Sequence, residues 1–225
     1  EDVRVASLRL SDSPMYQVVV MGSRRVDLRD LRITVRDTQL GENGPHNTDG
    51  VSIIASQDVH LQHSEIESGD DNVVIKEGSR RILAESLVLR RGKGISIGSL
   101  GERGAAEQVV RDVVFRDVNL VQCMHGARIK TWQDSHGLVQ NITFQNFKMR
   151  QVDYGVLVDQ TYCPLTQRPE GCSGLGSQSI LIKDVAFRSF TGSYTKEATK
   201  VICVRCENLD DQGVHMQMAI PSYAP

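Results

Sequence analysis

A short apolar strand that returns along the chain is the feature that most constrains the fold. It first reads Gly50-Val51-Ser52-Ile53, and further copies begin at Asn72, Gly94, Gly126 and Gly155. The first three copies start 22 residues apart, and the next two intervals are 32 and 29 residues. A period of this length with several strands per turn predicts an all-β fold, a right-handed parallel β-helix whose coils stack on one another.

A second strand is predicted between successive copies of the first. Its copies are residues 59–61, 87–89, 113–115, 142–144 and 180–182. These segments are rich in Val and Ile and are bounded by turn residues, whereas no long stretch carries a capped helical stripe. A β-sandwich also uses short strands at regular spacing, and it is the alternative that the periodicity leaves open.

Size and charge narrow the class of protein. With 225 residues, of which 40% are hydrophobic and 24% charged, the chain suits one domain over residues 1–225. The site-bearing coils are expected at about 45–165. A net charge of −2 and the lack of an apolar run of ~18 residues predict no nucleic-acid partner and no membrane span. No motif requires a cofactor.

The two ends lack the pattern of a cap. A solenoid without caps exposes apolar faces and strand edges. We therefore expect that terminal coils and caps belong to neighbouring sequence, or that a protein partner covers the ends. The triplet Asn141-Ile142-Thr143 is an N-glycosylation sequon, which is typical of a secreted glycoprotein. It predicts a glycan on Asn141 and an extracellular or cell-wall location.

Acidic residues precede two of the repeated strands. Asp49 and Asp70 are 21 residues apart, about one coil. Stacked coils would place them on neighbouring rungs, one or two strand spacings of ~4.8 Å apart. Asp71 adjoins Asp70, and Lys93 follows Asp71 by 22 residues, on the next rung. The repeat therefore predicts three carboxylates and a lysine close together.

Two more cations fall on the following copy of the strand. Arg128 and Lys130 are two residues apart, so their side chains should share one face. Clustered carboxylates can hydrolyse a glycosidic bond, because one stays protonated as the donor while another activates water. The cations would bind the carboxylates of an acidic sugar. Two alternatives remain, namely aspartates that only close turns and a Ca²⁺ site.

Several ordered motifs resemble glycoside hydrolase family 28, the polygalacturonases. They are Asn47-Thr48-Asp49-Gly50, Gly69-Asp70-Asp71, the segment 92–101, Arg128-Ile129-Lys130 and Asp159-Gln160-Thr161-Tyr162-Cys163-Pro164. The resemblance covers essentially the whole chain. It implies a secreted right-handed parallel β-helix that cleaves α-1,4-linked galacturonan in pectin with inversion and without a cofactor.

The resemblance also implies a role for each site residue. Asp70 would be the general acid, and Asp49 and Asp71 would position and deprotonate the attacking water. Binding of the acidic polysaccharide would involve Asn47, Lys93, Arg128, Lys130 and Tyr162. Among the cysteines, Cys163 with Cys172 resembles a family disulfide and Cys203 with Cys206 a second one, which leaves Cys123 unpaired.

Two positions depart from the family pattern. The Gly-His-Gly motif reads Gly92-Lys93-Gly94 here, and the cysteine after the aspartate pair is replaced by Asn72. A lysine with its usual pKa of ~10.4 does not share protons as a histidine does. Its charge also favours an ionised Asp70. Two functions stay open, a polygalacturonase-type hydrolase of lowered turnover and a catalytically impaired pseudoenzyme that binds an acidic polysaccharide or is a structural extracellular protein.

Overall fold

The computed structural model describes residues 1–36, 47–102, 106–163 and 179–219, and this part contains strands and no helix. The strands are β1 (Val3–Ala6), β2 (Arg9–Ser11), β3 (Val18–Met21), β4 (Arg24–Arg29), β5 (Arg32–Thr34), β6 (Val51–Ile54), β7 (Gln57–Glu67), β8 (Val73–Ile75), β9 (Arg80–Arg90), β10 (Ile95–Leu100), β11 (Gln108–Val121), β12 (His125–Trp132), β13 (Gly137–Tyr162), β14 (Leu181–Ile202), β15 (Cys206–Asp210) and β16 (Val214–Met218). The all-β prediction is confirmed.

Corresponding strands of successive coils pair in parallel and form three ladders. The front ladder runs through β3, β6, β8, β10 and β12, and it ends on the last thirds of β13 and β14. The second ladder starts with β1 and β4, and the third starts with β2 and β5. The long strands β7, β9, β11, β13 and β14 turn corners, so each contributes to more than one ladder.

The register of the front ladder confirms the predicted repeat. Val51, Val73, Ile95, Ala127 and Val156 pair in turn, with the intervals read from the sequence. Every strand pair in the described ranges is parallel, which a sandwich of antiparallel sheets would not show. The chain is a parallel β-helix, as predicted.

Two of the predicted second-strand segments do not align with the other three. In β9 the second-ladder position belongs to residues 82–84, whereas residues 87–89 pair with residues 118–120 in the third ladder. Residues 181 and 182 pair with residues 138 and 139, whereas residues 142–144 pair with residues 185–187. The two ladders carry the same aliphatic alternation and are separated by one corner residue. Ser86, with φ of 54°, is that corner in β9.

Stacked apolar side chains fill the interior of the coils. An isoleucine column with no exposed surface lies at one register position of the front ladder, and its members are Ile53, Ile75, Ile97 and Ile129. Elsewhere, Phe144 stacks between Phe115 and Phe187, with ring centroids 5.1 and 5.2 Å apart. These columns hold adjacent coils in one register, and the residues beside them on the front ladder therefore point outward.

A row of Asp and Asn residues marks one corner of the coils. Asp112, Asn141, Asp184 and Asn208 all have φ between 52° and 58°, a left-handed conformation that Asp and Asn tolerate well. The exposed Asn141 amide donates to Asp112 Oδ1 at 2.8 Å, so its side chain joins the row. Glycosylation of Asn141 stays a prediction.

The structure tests part of the predicted cysteine pairing. Cys203 and Cys206 form the predicted disulfide, and Cys123 is free and buried, as expected. The predicted pairing of Cys163 with Cys172 lies outside the described residues, because Cys172 is not among them.

The outer coils expose apolar side chains of the kind that inner coils bury. Val201 is 41% exposed, whereas Val158, its partner on the preceding coil, is fully buried. Met21, on the first coil, is 61% exposed. In the described residues, no helix has the length and apolar character needed to cross a bilayer.

Candidate active site

A cleft of about 520 Å³ opens on the outward face of the front ladder. Its walls come from the segments around β6, β8, β10 and β12, where the sequence places the charged motifs. The side chains that line it include Asp49, Asp70, Asp71, Lys93, Lys130 and Tyr162. The stacking of coils therefore brings together carboxylates and cations that are up to 81 residues apart in sequence.

Two serines of the front ladder orient the carboxylates. Ser52 and Ser96 lie in one outward row with Val74 and Arg128. Ser52 Oγ donates to Asp49 Oδ2 at 3.0 Å, and Ser96 Oγ donates to Asp71 Oδ1 at 2.7 Å. Sequence reasoning missed both serines. Their shared position in the middle of the repeated strand, as in Val51-Ser52-Ile53, is the signal that could have found them.

Asp71 is buried between two cations. Arg128 Nη2 donates to its Oδ1 at 2.8 Å, and Lys130 Nζ donates to its Oδ2 at 3.1 Å. Burial raises the pKa of Asp71, but the charges of Lys130 and Arg128 outweigh it and hold that pKa well below the usual range. Asp71 is therefore ionised, and the side chains of both cations are only 10% exposed.

Asp70 accepts three hydrogen bonds. The backbone N–H of Asn47 donates to Oδ2 at 3.2 Å, and the backbone N–H of Asp71 donates to Oδ1 at 2.9 Å. Lys93 Nζ donates to Oδ2 at 2.8 Å and forms an ion pair. Lys93 therefore contacts Asp70 directly. Asn47 contributes its backbone amide to the site.

Within the described residues, the Asp49 carboxyl accepts fewer hydrogen bonds than the carboxyls of Asp70 and Asp71. Its contact within the described residues is the Ser52 hydroxyl. Burial, followed by the charges of Asp71 and Asp70, raises the pKa of Asp49 to about 7. The cleft thus holds one carboxyl that can carry a proton near neutral pH beside one that is ionised.

Tyr162 closes the cleft on the side of Lys130. The Lys130 ammonium lies 5.4 Å from the Tyr162 ring centroid, and Trp132 meets the same ring edge-on at 5.7 Å. Burial raises the pKa of the Tyr162 phenol. Burial and the neighbouring Arg128 charge lower the pKa of Lys130 to about 8. The ring and the ammonium offer an apolar face and a cation to a bound sugar.

Asn72 supports the turn that carries Lys93. Its side-chain amide donates to the carbonyls of Ile66 and Arg90 at 3.1 and 3.2 Å, and its Oδ1 accepts from Gly94 N–H at 2.8 Å. This buried amide ties adjacent coils together at the position where the family has a cysteine. Asn72 therefore has a structural role next to the site.

Other features of the described residues lie away from this chemistry. A larger groove of about 880 Å³ near the last coil includes Met149 and His215 and is lined by no carboxylate. The Cys203–Cys206 disulfide and Asn141 are not among the residues that line the cleft. The cleft on the front ladder is thus the candidate active site.

Comparisons with known proteins agree with the fold and with the family resemblance. A profile described as "Glycosyl hydrolases family 28" matches residues 1–223. Polygalacturonase QRT2 of Arabidopsis thaliana is 31% identical over 217 residues, which cover 96% of this chain and 46% of that protein. This chain spans about half the length of the curated relatives it matches.

Solved structures with low sequence identity show the same fold. Endo-xylogalacturonan hydrolase from Aspergillus tubingensis superposes with a TM-score of 0.72 at 20% identity, covering 96% of this chain and 65% of that one. Endopolygalacturonase I from Stereum purpureum, solved with two galacturonates, gives a TM-score of 0.70 at 20% identity, covering 96% and 68%.

Proposed function

This chain belongs to glycosyl hydrolases family 28, and we propose that it hydrolyses the α-1,4 linkages of galacturonan in pectin with inversion of configuration. The observation that carries this proposal is the cluster of three carboxylates and three cations in and beneath one cleft. Galacturonan presents one carboxylate per sugar, so a cleft that combines hydrolytic carboxylates with cations matches both its linkage and its charge.

The pKa values of Asp49 and Asp71 support hydrolysis by this cluster. An inverting glycosidase needs one carboxyl that donates a proton to the leaving oxygen and one carboxylate that activates water. The pKa of Asp49, raised to about 7 mainly by burial, and the low pKa of Asp71, which two cations outweighing burial hold down, supply one group of each kind. The family resemblance assigns the proton donor to Asp70.

The cations and the tyrosine support recognition of an acidic sugar. Lys93 and Lys130 line the cleft, and Arg128 lies behind them with its guanidinium on Asp71. Their ammonium and guanidinium groups would bind uronate carboxylates by charge-assisted hydrogen bonds. Tyr162 would pack against the sugar ring. The hydrolysis we propose uses no cofactor.

We also place the protein outside the cell, in contact with the cell wall. The Cys203–Cys206 disulfide suits an oxidising compartment, and the exposed Asn141 sequon suits a secretory route. The proposed substrate is itself a cell-wall polysaccharide. A protein partner over the exposed end coils is part of the same proposal and is supported by their exposed apolar side chains.

A specific contact favours a second candidate function. The ion pair between Lys93 and Asp70 occupies the carboxyl that the family resemblance makes the general acid. The Lys93 ammonium donates a hydrogen bond to that carboxyl, and its positive charge also favours binding of a polyanion. The alternative is therefore a catalytically impaired pseudoenzyme that binds galacturonan or serves as a structural extracellular protein.

Release of reducing ends from polygalacturonate separates the two candidates. The chain is assayed beside Lys93→His and beside Asp30→Asn, an exposed aspartate outside the cleft. Binding of oligogalacturonate is measured by calorimetry on the same samples. Release by the parent supports the hydrolase. If the parent binds oligogalacturonate without releasing reducing ends, and Lys93→His restores that release, the pseudoenzyme is supported. If the folded chain shows neither binding nor release, both candidate functions are overturned.

A further inference from the structure

We propose that His125 is a positioning residue of the candidate active site, and that its imidazole keeps the Lys93 ammonium on Asp70 by holding the turn that carries Lys93. His125 is not among the residues that line the cleft, so it acts through Lys93 rather than on a bound sugar. The consequence for turnover rests on the proposed hydrolysis of galacturonan, whereas the contact between the two residues does not.

The register of the front ladder places His125 next to Lys93 on the following coil. Ile95 of β10 pairs with Ala127 of β12. Lys93 and His125 lie two residues before these partners, at equivalent positions on adjacent coils. The column continues to Tyr154, which pairs with His125. Stacking of the coils therefore brings the imidazole to the Lys93 turn.

The imidazole contacts this turn through one hydrogen bond. His125 Nδ1 lies 3.2 Å from the Lys93 carbonyl oxygen. Because a carbonyl oxygen only accepts, the hydrogen lies on Nδ1 and the imidazole donates. The Nζ of the same lysine donates to Asp70 Oδ2 at 2.8 Å. Lys93 thus connects the His125 ring to a carboxyl of the cleft.

The Lys93 backbone is held by a hydrogen bond on each side. Its N–H donates to the Asp70 carbonyl oxygen of the preceding coil at 2.7 Å, and its C=O accepts from His125 of the following coil. Gly92 and Gly94, with φ of 62° and 79°, flank Lys93 in the left-handed region. Since glycine readily changes its backbone conformation, these hydrogen bonds decide the direction in which the Lys93 side chain leaves the turn.

The His125 ring is itself held in place. The residue is 3% exposed, and its ring stacks on that of Tyr154 with centroids 5.7 Å apart and an interplanar angle of 16°. The ammonium groups of Lys196 and Lys200 lie 5.6 and 5.7 Å from the Tyr154 centroid. The imidazole is therefore a fixed support for the turn.

The imidazole donates without carrying a charge. Burial, followed by the Arg128 charge, lowers the pKa of His125 to about 2. Lys130 lowers this pKa further, whereas the hydrogen bond to the Lys93 carbonyl and the Asp71 charge raise it. A neutral histidine has a single N–H, and the contact with Lys93 assigns it to Nδ1. This tautomer is a spectroscopic signature of the proposed role.

Two substitutions separate the hydrogen bond from packing. His125→Asn keeps an N–H donor near the position of Nδ1, whereas His125→Phe keeps a ring that can stack on Tyr154 and removes the donor. We expect kcat/KM on polygalacturonate to fall by about fivefold to tenfold in His125→Phe, the effect of one lost hydrogen bond, and by less than about twofold in His125→Asn. Equal losses in the two folded variants would show that packing alone matters and would overturn the proposal.

Nitrogen NMR of the histidine rings tests the donor in the parent chain itself. The ring signal that disappears in His125→Asn is assigned to His125. We expect this ring to keep its hydrogen on Nδ1 without titrating between about pH 5 and about pH 8, the range in which an unperturbed histidine changes charge. A hydrogen on Nε2, or a ring that titrates in this range, would contradict the proposed contact.

The ammonium signal of Lys93 reports positioning without turnover. Lysine ammonium groups held in ion pairs give slowly exchanging NMR signals, and Lys93→Gln assigns the one of interest. We expect this signal to persist in His125→Asn and in the control Asp30→Asn, and to be lost in His125→Phe. If the parent releases no reducing ends, the proposed hydrolysis fails, and this signal decides the positioning role by itself. An unchanged signal in His125→Phe would overturn that role.

Discussion

Three aspartates in one cleft have three different electrostatic environments, and the cations around them make the difference. Asp71 lies between Arg128 and Lys130, Asp70 accepts from Lys93, and Asp49 contacts a serine hydroxyl. Burial disfavours the charge on Asp49 and on Asp71, and of these two only Asp71 has cations within hydrogen-bond distance. Pairing with Arg128 and Lys130 therefore keeps Asp71 ionised, whereas Asp49 can carry a proton.

Replacing Asp71 by Asn should destabilise the fold strongly. The substitution removes the counter-ion of two cations whose side chains are 10% exposed. Breaking a buried pair in this way costs about 3–5 kcal/mol of unfolding free energy. Urea denaturation of Asp71→Asn measures the loss, with Asp153→Asn as the matched control. The more exposed pair of Asp153 with Lys196 should contribute less than about 1 kcal/mol. Equal losses in the two variants would show that burial of the pair does not matter.

The raised pKa of Asp49 predicts a pH-dependent stability. Because the folded chain holds this proton up to about pH 7 and the unfolded chain releases it near the ordinary aspartate pKa of 3.8, stability should fall as pH rises between these two values. Asparagine mimics the protonated carboxyl and removes this dependence.

The comparison of Asp49→Asn with the parent measures this effect. The unfolding free energy of the variant relative to the parent should rise by a few kcal/mol, about 4 at most, between about pH 4 and about pH 8. Denaturant titrations at the two pH values provide the measurement. A constant difference between the two proteins would contradict a raised pKa of Asp49.

At the scale of the strands, the site depends on close stacking of the front ladder. The repeated strand is entered through glycine where two coils approach closely. A Cβ on Gly94, whose φ is 79°, would lie 1.8 Å from the His125 carbonyl oxygen of the next coil. The same turn carries Lys93, whose backbone N–H donates to the Asp70 carbonyl at 2.7 Å. Strand stacking and placement of the ammonium are thus linked at one turn.

Gly94→Ala should therefore cost more stability than an alanine at another left-handed glycine. Gly22, with φ of 58°, has no atom within 4 Å of an added Cβ, so Gly22→Ala should cost only the ~1–2 kcal/mol of the left-handed conformation. Gly94→Ala adds a backbone clash, and its loss in chemical denaturation should be clearly larger. Similar losses for both variants would mean that the coils can separate locally without cost.

The repeat and the clustered charges could be predicted from the sequence, because register in a stacked solenoid follows directly from spacing. The pairing of Val51, Val73 and Ile95 and the convergence of Asp71 with Arg128 both follow from that rule. The error at residues 87–89 arose where one left-handed corner residue separates two strands of similar composition. The pairing of each cation with a carboxyl depends on the directions of the side chains. The spacing of residues in the sequence does not determine these directions.

At the scale of the whole molecule, binding of a polyanion depends on local charge. The chain has a net charge of −2, so long-range attraction does not favour galacturonan. Inside the cleft, Asp49 lies among cations that include Lys76, Lys93 and Lys130. Ionisation of Asp49 would add one negative charge to the cleft.

Affinity for an acidic oligosaccharide should therefore fall as pH rises. A sulfur-linked trigalacturonate, which resists hydrolysis, is titrated by calorimetry between about pH 5 and about pH 7.5. We expect the parent to weaken by roughly tenfold, the effect of one nearby charge at an intermediate dielectric. Asp49→Asn should show little change over the same range. A parent whose affinity does not depend on pH would contradict the proposed link between Asp49 and substrate binding.

The most direct test of the central claim is proton NMR of the first products released from polygalacturonate. An inverting hydrolase acting on α-linkages produces the β-anomer of the new reducing end before mutarotation mixes the two forms. Early β-anomer from the parent chain, absent in Asp49→Asn, is the result we predict. Initial α-anomer, or no new reducing end from a chain that remains folded, would contradict inverting hydrolysis of galacturonan at this cleft.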